Sequence, residues 1–160
     1  GDGDLAAIGT AETIHSAARN ENFTVIFINN AIYGMTGGQL APTTLPGMRT
    51  TTSVAGRDIK RAGNPIKICE LLNSLDGPTY LARTSVHTSQ AVIKTKKALK
   101  TAFQLQLDSK GFSLIKILSM CPTGWGVAPK DAAKWIEETM SKYFPLGEFR
   151  NIDKPSEEKK

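Results

Sequence analysis

A carboxylate between two glycines opens the chain, Gly1-Asp2-Gly3, and after 25 residues, 4 to 28, come two carboxamides, Asn29-Asn30. Asp and Asn offer hard oxygens of the kind Mg²⁺ takes, one or two protein groups at about 2.1 Å beside water and substrate phosphates. The chemistry in view is the holding of a phosphate-bearing group through a divalent cation. Gly3 lets the backbone approach such a group, and the amides of Gly3 and Asp4 open a helix whose positive end suits an anion. The same residue types also build a plain Asp-Gly turn and a plain Asn-Asn turn. The pair therefore carries cation chemistry only if the fold brings its halves together.

A turn, a helix and a strand are what return a chain to the same sheet edge, and the intervening residues predict that unit. Leu5, Ile8, Ala11 and His15 fall at helical spacing in a helix over Leu5–Asn20, with Asp4 placed to cap it. Phe23–Ile28 is a β-branched and aromatic run that predicts a buried strand. Residues 31–64 are rich in Gly, Thr and Pro with little periodicity, long for a structureless loop and so expected to be functional. The alternation then repeats: a helix over Ile66–Leu75, a strand over Tyr80–Thr84, a helix over Ser89–Leu107 and a strand over Phe112–Leu118. A loop holding Cys121-Pro122-Thr123-Gly124-Trp125-Gly126 precedes a helix from Pro129 to Tyr143. This order predicts an α/β fold, a mostly parallel sheet covered by helices on both faces, with ligands at the carboxyl ends of the strands. A Gly-rich turn normally follows a strand, so a further strand is expected ahead of Gly1. One domain over 1–150 and a flexible tail over 151–160 complete the expected layout.

Composition narrows the function classes. The 160 residues carry 40% hydrophobic and 22% charged side chains, and no apolar run approaches the roughly 20 residues of a membrane helix. Lys and Arg number 20 against 15 Asp and Glu, a formal +5, but the excess is interleaved with acids and does not imply nucleic-acid binding. Lys94, Lys96, Lys97 and Lys100 read as the solvated face of a helix. The start has neither the basic nor the apolar segment of a signal peptide, so a cytoplasmic location is expected. Cys69 and Cys121, the only cysteines, form neither a close metal-binding pair nor a disulfide framework. Cys69 reads as a small buried hydrophobe, His15 and His87 as structural histidines, Trp125 and Trp135 as packing residues.

Longer segments carry a resemblance. Gly-Asp-Gly-Asp-Leu-Ala-Ala-Ile-Gly9, Asn29-Asn-Ala-Ile-Tyr-Gly-Met-Thr-Gly-Gly-Gln39, Ala41-Pro42-Thr43-Thr44 and Cys121-Pro122-Thr123 together resemble the thiamine-diphosphate-binding β subunits of 2-oxoacid:ferredoxin oxidoreductases. Cys121–Gly126 with Tyr143-Phe-Pro-Leu-Gly147 looks most like the 2-oxoisovalerate and 2-oxoglutarate branch. The resemblance implies a thiamine-diphosphate-binding fold lacking its N-terminal part. It implies that Asp2 through its carboxylate, Asn30 through its side-chain oxygen and Ile32 through its backbone carbonyl hold Mg²⁺, with two diphosphate oxygens and a water. Gly3 and Asp4 are implied at the diphosphate, and Thr36 with Gly37-Gly38 bonds the diphosphate, admits substrate or simply builds a tight loop. Met35 falls beside the reactive thiazolium carbon, where it shapes the 2-oxoacid pocket or merely packs the loop. Cys121 is implied as one ligand of a cubane iron-sulfur cluster whose other three cysteines lie upstream; a lone thiol cannot hold a cluster that takes four.

The activity so implied is oxidative decarboxylation of a 2-oxoacid to an acyl-CoA with reduction of ferredoxin. The partners are an α subunit, with γ and δ subunits in some complexes, ferredoxin, coenzyme A and the 2-oxoacid, with no nucleic acid and no membrane. Ferredoxin docking on the lysines of the Ser89–Leu107 helix is the alternative to a solvated face. No catalytic residue is assigned, since the glutamate that polarises the aminopyrimidine comes from the partner subunit. The chain by itself is expected to be inactive. A non-oxidative decarboxylase subunit would share Asp2 and Asn30 without needing Cys121, and an inactive assembly module would need none of them.

Overall fold

In a computed structural model, which describes residues 1–154, three strands, β1 (Thr24–Asn29), β2 (Tyr80–Ser85) and β3 (Ser113–Leu118), form the parallel part of a four-stranded sheet. The order is β1-β3-β2-β4, with β1, β3 and β2 parallel. β3 is buried along its whole length, as befits a central strand covered on both faces. The last strand, β4 (Gly147–Asn151), runs antiparallel to β2 past an irregularity at Leu81/Ala82. Sequence pattern does not reveal β4, because Gly-Glu-Phe-Arg-Asn has one apolar residue and no alternation. Tertiary contacts fix it instead. The Arg150 guanidinium donates to the carbonyls of Asn73, Leu75, Asp76 and Pro78, and the Tyr80 hydroxyl donates to Glu148 at 3.0 Å. The strand takes in Asn151, so the ordered chain runs past the expected boundary at 150. Residues 155–160, where most of the expected tail falls, lie outside the described residues.

Each face of the sheet has its own core. On one, Phe27, Leu81 and Leu114 pack on Ala6, on Ala17 of α1 (Thr10–Ala18) and on Ile68, Cys69 and Leu72 of α3 (Ile68–Asn73). On the other, Tyr80, Ala82, Ile115 and Ile117 pack under Ala98, Ala102 and Leu105 of α4 (Ser89–Leu107). Small alanines on the inner stripe of α4 let it lie close to the sheet, and the Thr88 hydroxyl caps it by accepting the Ala91 amide at 3.1 Å. The lysines at 94, 96, 97 and 100 are all exposed on its outer side. β1 forms one edge of the sheet, and its Ile26 and Ile28 are exposed.

Three expectations are corrected in detail. Asp4 does not cap a helix: the chain is already helical at Gly3 (φ −71°, ψ −36°), so Asp4 lies inside the first turn and its exposed carboxylate pairs with the Gly1 ammonium at 2.9 Å. The expected single helix is a π turn (Asp4–Ile8) followed by α1, because the Gly9 amide bonds back to the Asp4 carbonyl at 2.6 Å, and a Cβ on Gly9 would stand 2.7 Å from that oxygen. Residues 31–64 are not structureless either. They include α2 (Ile59–Ala62), capped by Asp58, and antiparallel bridges at Tyr33/Gln39 and Thr50/Ser53.

The Cys121 segment is one helical turn, α5 (Pro122–Trp125), ended by left-handed Gly126. The helical path after it runs through a 3-10 turn (Pro129–Asp131), α6 (Ala132–Trp135), a π turn (Ile136–Met140) and α7 (Ser141–Tyr143). Among the described residues no helix is long and apolar enough to cross a membrane.

Candidate functional site

The carboxylate and the carboxamides do converge. Asp2 sits at the first helical turn, 4% exposed, against the carboxyl end of β1. Its Oδ1 accepts hydrogen bonds from Asn29 Nδ2 and from the Thr43 hydroxyl, and its Oδ2 accepts the Asn30 backbone amide at 3.0 Å. β1 supplies this geometry, since Asn29 closes the strand pointing into the core and Asn30 is the first residue beyond it. Burial pushes the Asp2 carboxyl above the usual aspartate range, although the Thr43 and Asn30 hydrogen bonds and the charge of Lys116 pull it down. Three donors do not offset the loss of water around this carboxylate, which is the electrostatic setting a cation relieves.

Asn30 is held on three sides. Besides its amide on Asp2, its carbonyl accepts the Trp125 indole N–H at 2.7 Å, and its side-chain Oδ1 accepts the Ile32 amide at 3.2 Å, leaving that oxygen a second lone pair. The neighbouring Asn29 Oδ1 is buried and, among the described residues, has no hydrogen-bond partner. Ile32 is buried, and its carbonyl accepts the Gly34 amide at 3.1 Å. A buried, under-neutralised carboxylate, an orphaned carboxamide oxygen and further oxygen acceptors within a few residues form a donor set that fits a hard divalent cation.

The remaining sequence candidates surround this point in different ways. The Tyr33 ring lies over Gly3, where an added Cβ would stand 2.9 Å from Cε1, so glycine is what permits the contact. Gly3 and Asp4 belong to the first helical turn. Thr36 turns away: its hydroxyl donates to Gln39 Oε1 at 2.6 Å, and Gln39 Nε2 donates to its carbonyl at 2.7 Å, closing a small hairpin. Met35 stands fully exposed at the tip of that hairpin and packs no loop.

Cys121 does approach the centre. A Cβ on Gly34 would lie 3.3 Å from its Sγ and 3.4 Å from Asn30 Nδ2, and one on Gly124 would lie 2.8 Å from the same sulfur and 3.2 Å from Ile32 Cγ2. The thiol is therefore seated between two glycines beside Asn30 and Ile32. Among the described residues no group of three His, Cys, Asp or Glu side chains is able to hold a metal ion. Cys69 is fully buried, its thiol pushed up by burial, His15 is exposed, and His87 Nδ1 bonds the Ser85 hydroxyl at 2.8 Å. A cavity of about 580 Å³ lined by Thr84, His87, Lys94 and Glu148 includes none of the site residues.

Three residues to which sequence reasoning gave no part in the site, Thr43, Trp125 and Arg57, take part beside Asn29. Asn29 and Thr43 hold Asp2, Trp125 holds Asn30, and Arg57 holds the segment that carries Thr43. Thr43 had a signal in the Ala-Pro-Thr-Thr segment but no assigned partner. Arg57 had none.

The family described as "Thiamine pyrophosphate enzyme, C-terminal TPP binding domain" matches residues 1–117. Ketoisovalerate oxidoreductase subunit VorA of Methanothermobacter marburgensis is 45% identical over 157 residues, 98% of this chain and 33% of that one. 2-oxoglutarate synthase subunit KorB of Methanocaldococcus jannaschii is 38% identical over 175 aligned positions, 97% of this chain and 60% of its own length. The chain thus spans between a third and three-fifths of these curated relatives. A solved 2-oxoglutarate:ferredoxin oxidoreductase from Magnetococcus marinus, with 2-oxoglutarate, coenzyme A and succinyl-CoA bound, shares the fold with a TM-score of 0.70 at 24% identity, over 96% of this chain and 55% of that one. With the match running from the Asp2 turn through β3, this chain belongs to the thiamine pyrophosphate enzymes, as a C-terminal TPP binding domain.

Proposed function

We propose that the chain is the cofactor-binding part of a 2-oxoacid:ferredoxin oxidoreductase, converting a 2-oxoacid and coenzyme A to an acyl-CoA and carbon dioxide while reducing ferredoxin. The observation that carries this reading is the convergence of Asp2 and Asn30, 28 positions apart in the chain, with the Asn30 amide on the buried carboxylate. In this reading the Asp2 carboxylate, the Asn30 side-chain oxygen and the Ile32 carbonyl would hold Mg²⁺, which would supply positive charge for a diphosphate. When bound, thiamine diphosphate supplies the carbanion and the electron sink for decarboxylation. The protein's own task is then to orient and to exclude water. Thr43 and Asn29 aim the carboxylate, Trp125 fixes the Asn30 backbone, and exposed Met35 lies where a 2-oxoacid side chain or a partner subunit covers it.

Cys121 supports the oxidative reading over a non-oxidative decarboxylase. Its thiol lies against the residues that would carry the metal ligands, which is where a one-electron acceptor is useful, and in this reading it would serve as one iron-sulfur ligand, with the others supplied from outside these 160 residues. The names of the similar proteins favour a branched-chain or dicarboxylic 2-oxoacid. The partners in this reading are the other subunits of the complex, ferredoxin and coenzyme A.

Calorimetric titration tests the reading. Mg²⁺ with thiamine diphosphate is expected to bind the chain, and Asp2→Ala to weaken binding by roughly a hundredfold or more, the upper range for altering a metal site. Absence of heat with the wild-type chain, or equal binding by Asp2→Ala, overturns it.

A further inference from the structure

Arg57 is 5% exposed and, among the described residues, pairs with no carboxylate. Its guanidinium serves carbonyls only. Nη1 donates to Ala41 at 2.9 Å, Pro42 at 3.3 Å and Thr44 at 3.0 Å, Nη2 to Ala62 at 2.9 Å and Nε to Gly63 at 2.9 Å. Its own main chain is tied down as well, donating to the Met48 carbonyl and accepting from the Gly47 amide, both at 2.9 Å. The carbonyls it takes on one side bracket a single residue, Thr43. That residue is buried and places its hydroxyl on Asp2 Oδ1.

The next residue repeats the tie one step along the site. The Thr44 hydroxyl donates to the Ala31 carbonyl at 2.6 Å and accepts the Ala41 amide at 2.8 Å, while Ala31 is held in a left-handed conformation at φ 63° directly after Asn30. A closed ring results: Asp2 to Thr43, along the chain to Thr44, to Ala31, back to Asn30, and from the Asn30 amide to Asp2. Arg57 sits outside this ring and grips three of the carbonyls that shape it. We infer that Arg57 is a positioning residue for the cation site, locking the Ala41–Thr44 turn so that the Thr43 hydroxyl fixes the orientation of the Asp2 carboxylate.

The planar fork matters here. Five N–H groups reach two separate stretches of backbone at once, and a lysine, with three donors at one point, keeps the charge but cannot span both. The inference rests on the reading of Asp2 as a cation ligand for its purpose, but the relay from Arg57 to Asp2 is observable without any cation. The Asn30 amide donates to Asp2 Oδ2, so its hydrogen exchange reports whether the carboxylate stays in place.

The test compares wild type, Arg57→Lys, Thr43→Val, Thr43→Ser and the Arg57→Lys/Thr43→Val double variant of the full 160-residue chain, by amide exchange without ligand and by titration with Mg²⁺ and thiamine diphosphate. Arg57→Lys and Thr43→Val are each expected to speed Asn30 exchange by about tenfold while β3 amides stay unchanged, and to weaken Mg²⁺-dependent binding by about tenfold, the lower range for loss of an outer partner of a metal ligand. Thr43→Ser restores both, and the double variant is no worse than Thr43→Val alone. The relay is overturned if Arg57→Lys lowers the melting temperature and leaves Asn30 exchange at the wild-type rate, or if the two substitutions add. Should Arg57→Lys not fold, Thr43→Val decides, since unchanged Asn30 exchange removes the link on which Arg57 acts. A wild-type chain that takes up no Mg²⁺ and thiamine diphosphate sinks the proposed function alone, and the exchange rates still judge Arg57.

Discussion

Two buried charges lie on the same face of the sheet and are treated in opposite ways. At the carboxyl end of β1, Asp2 is met by three donors in a ring of backbone and hydroxyl groups. At the centre, Lys116 of β3 is fully buried with no hydrogen-bond partner among the described residues, its ammonium against the Phe144 ring at 3.9 Å and the Phe27 ring at 5.2 Å. Burial, followed by repulsion from Arg83, pushes Lys116 down to about 8. In the proposed reading the first charge takes its counter-ion from outside. The second has only π-faces and distant carboxylates to balance it, so it costs stability and prepares nothing.

The largest effect that sharpens this contrast is at Lys116. Lys116→Met is expected to raise folding stability by about 3 kcal/mol at pH 7, within the range for replacing buried charge with a well-packed apolar side chain, measured by urea unfolding. A loss of stability would mean that the ammonium has a favourable partner and would erase the distinction. The pH dependence follows from the shift at Lys116. Between the folded value of about 8 and the unfolded value of 10.5 the unfolded chain holds a proton that the folded chain has released, so stability rises with pH across that window. Cys69 and Tyr80, both raised, act in the opposite sense at alkaline pH. The gain is therefore read as the difference between wild type and Lys116→Met, which should vanish above pH 10.5.

Next in size is the neighbouring pair. Arg83, fully buried, bonds Glu70 through both terminal nitrogens, at 3.0 Å for Nη1. Burial pushes Glu70 up, and the hydrogen bond and charge of Arg83 more than reverse this, leaving it below the usual range. Glu70→Gln should cost about 1–2 kcal/mol once solvent at the half-exposed Glu70 is allowed for, again by urea unfolding. No change would mean that Arg83 does not depend on the Glu70 charge and is held by neutral acceptors such as the Pro145 carbonyl. Smallest is Trp125→Phe, which keeps the packing and deletes the indole N–H on the Asn30 carbonyl. A cost of about 1 kcal/mol, or roughly fivefold in Mg²⁺ and thiamine diphosphate affinity by calorimetry, is expected.

What was legible in the sequence follows from how local each signal is. The three parallel strands and α4 announce themselves because a strand or helix buried by the sheet needs β-branched runs or helical apolar spacing, and these are read within a dozen residues. The Asp2 and Asn30 pairing is legible because the intervening unit has a fixed length. β4 is not, since Arg150 and Glu148 hold it by contacts with residues about 70 positions away. Thr43 meets Asp2 across 41 positions, and Arg57 meets only carbonyls, which every residue has. Lys116, an isolated cation inside the apolar run Ser113–Leu118, contradicts its surroundings, and no pattern predicts where such a side chain finds its balance. Asp4 shows the limit of local rules: a favourable capping residue was displaced by a helix that starts two positions earlier.

The indole rings of Trp125 and Trp135 lie 4.1 Å apart, tilted by 31°, and they are the only two in the chain. One of them touches the backbone of Asn30. Indole emission, excited to the red of tyrosine absorption, therefore originates wholly at the flank of the candidate centre, which places a built-in optical gauge beside it without any label.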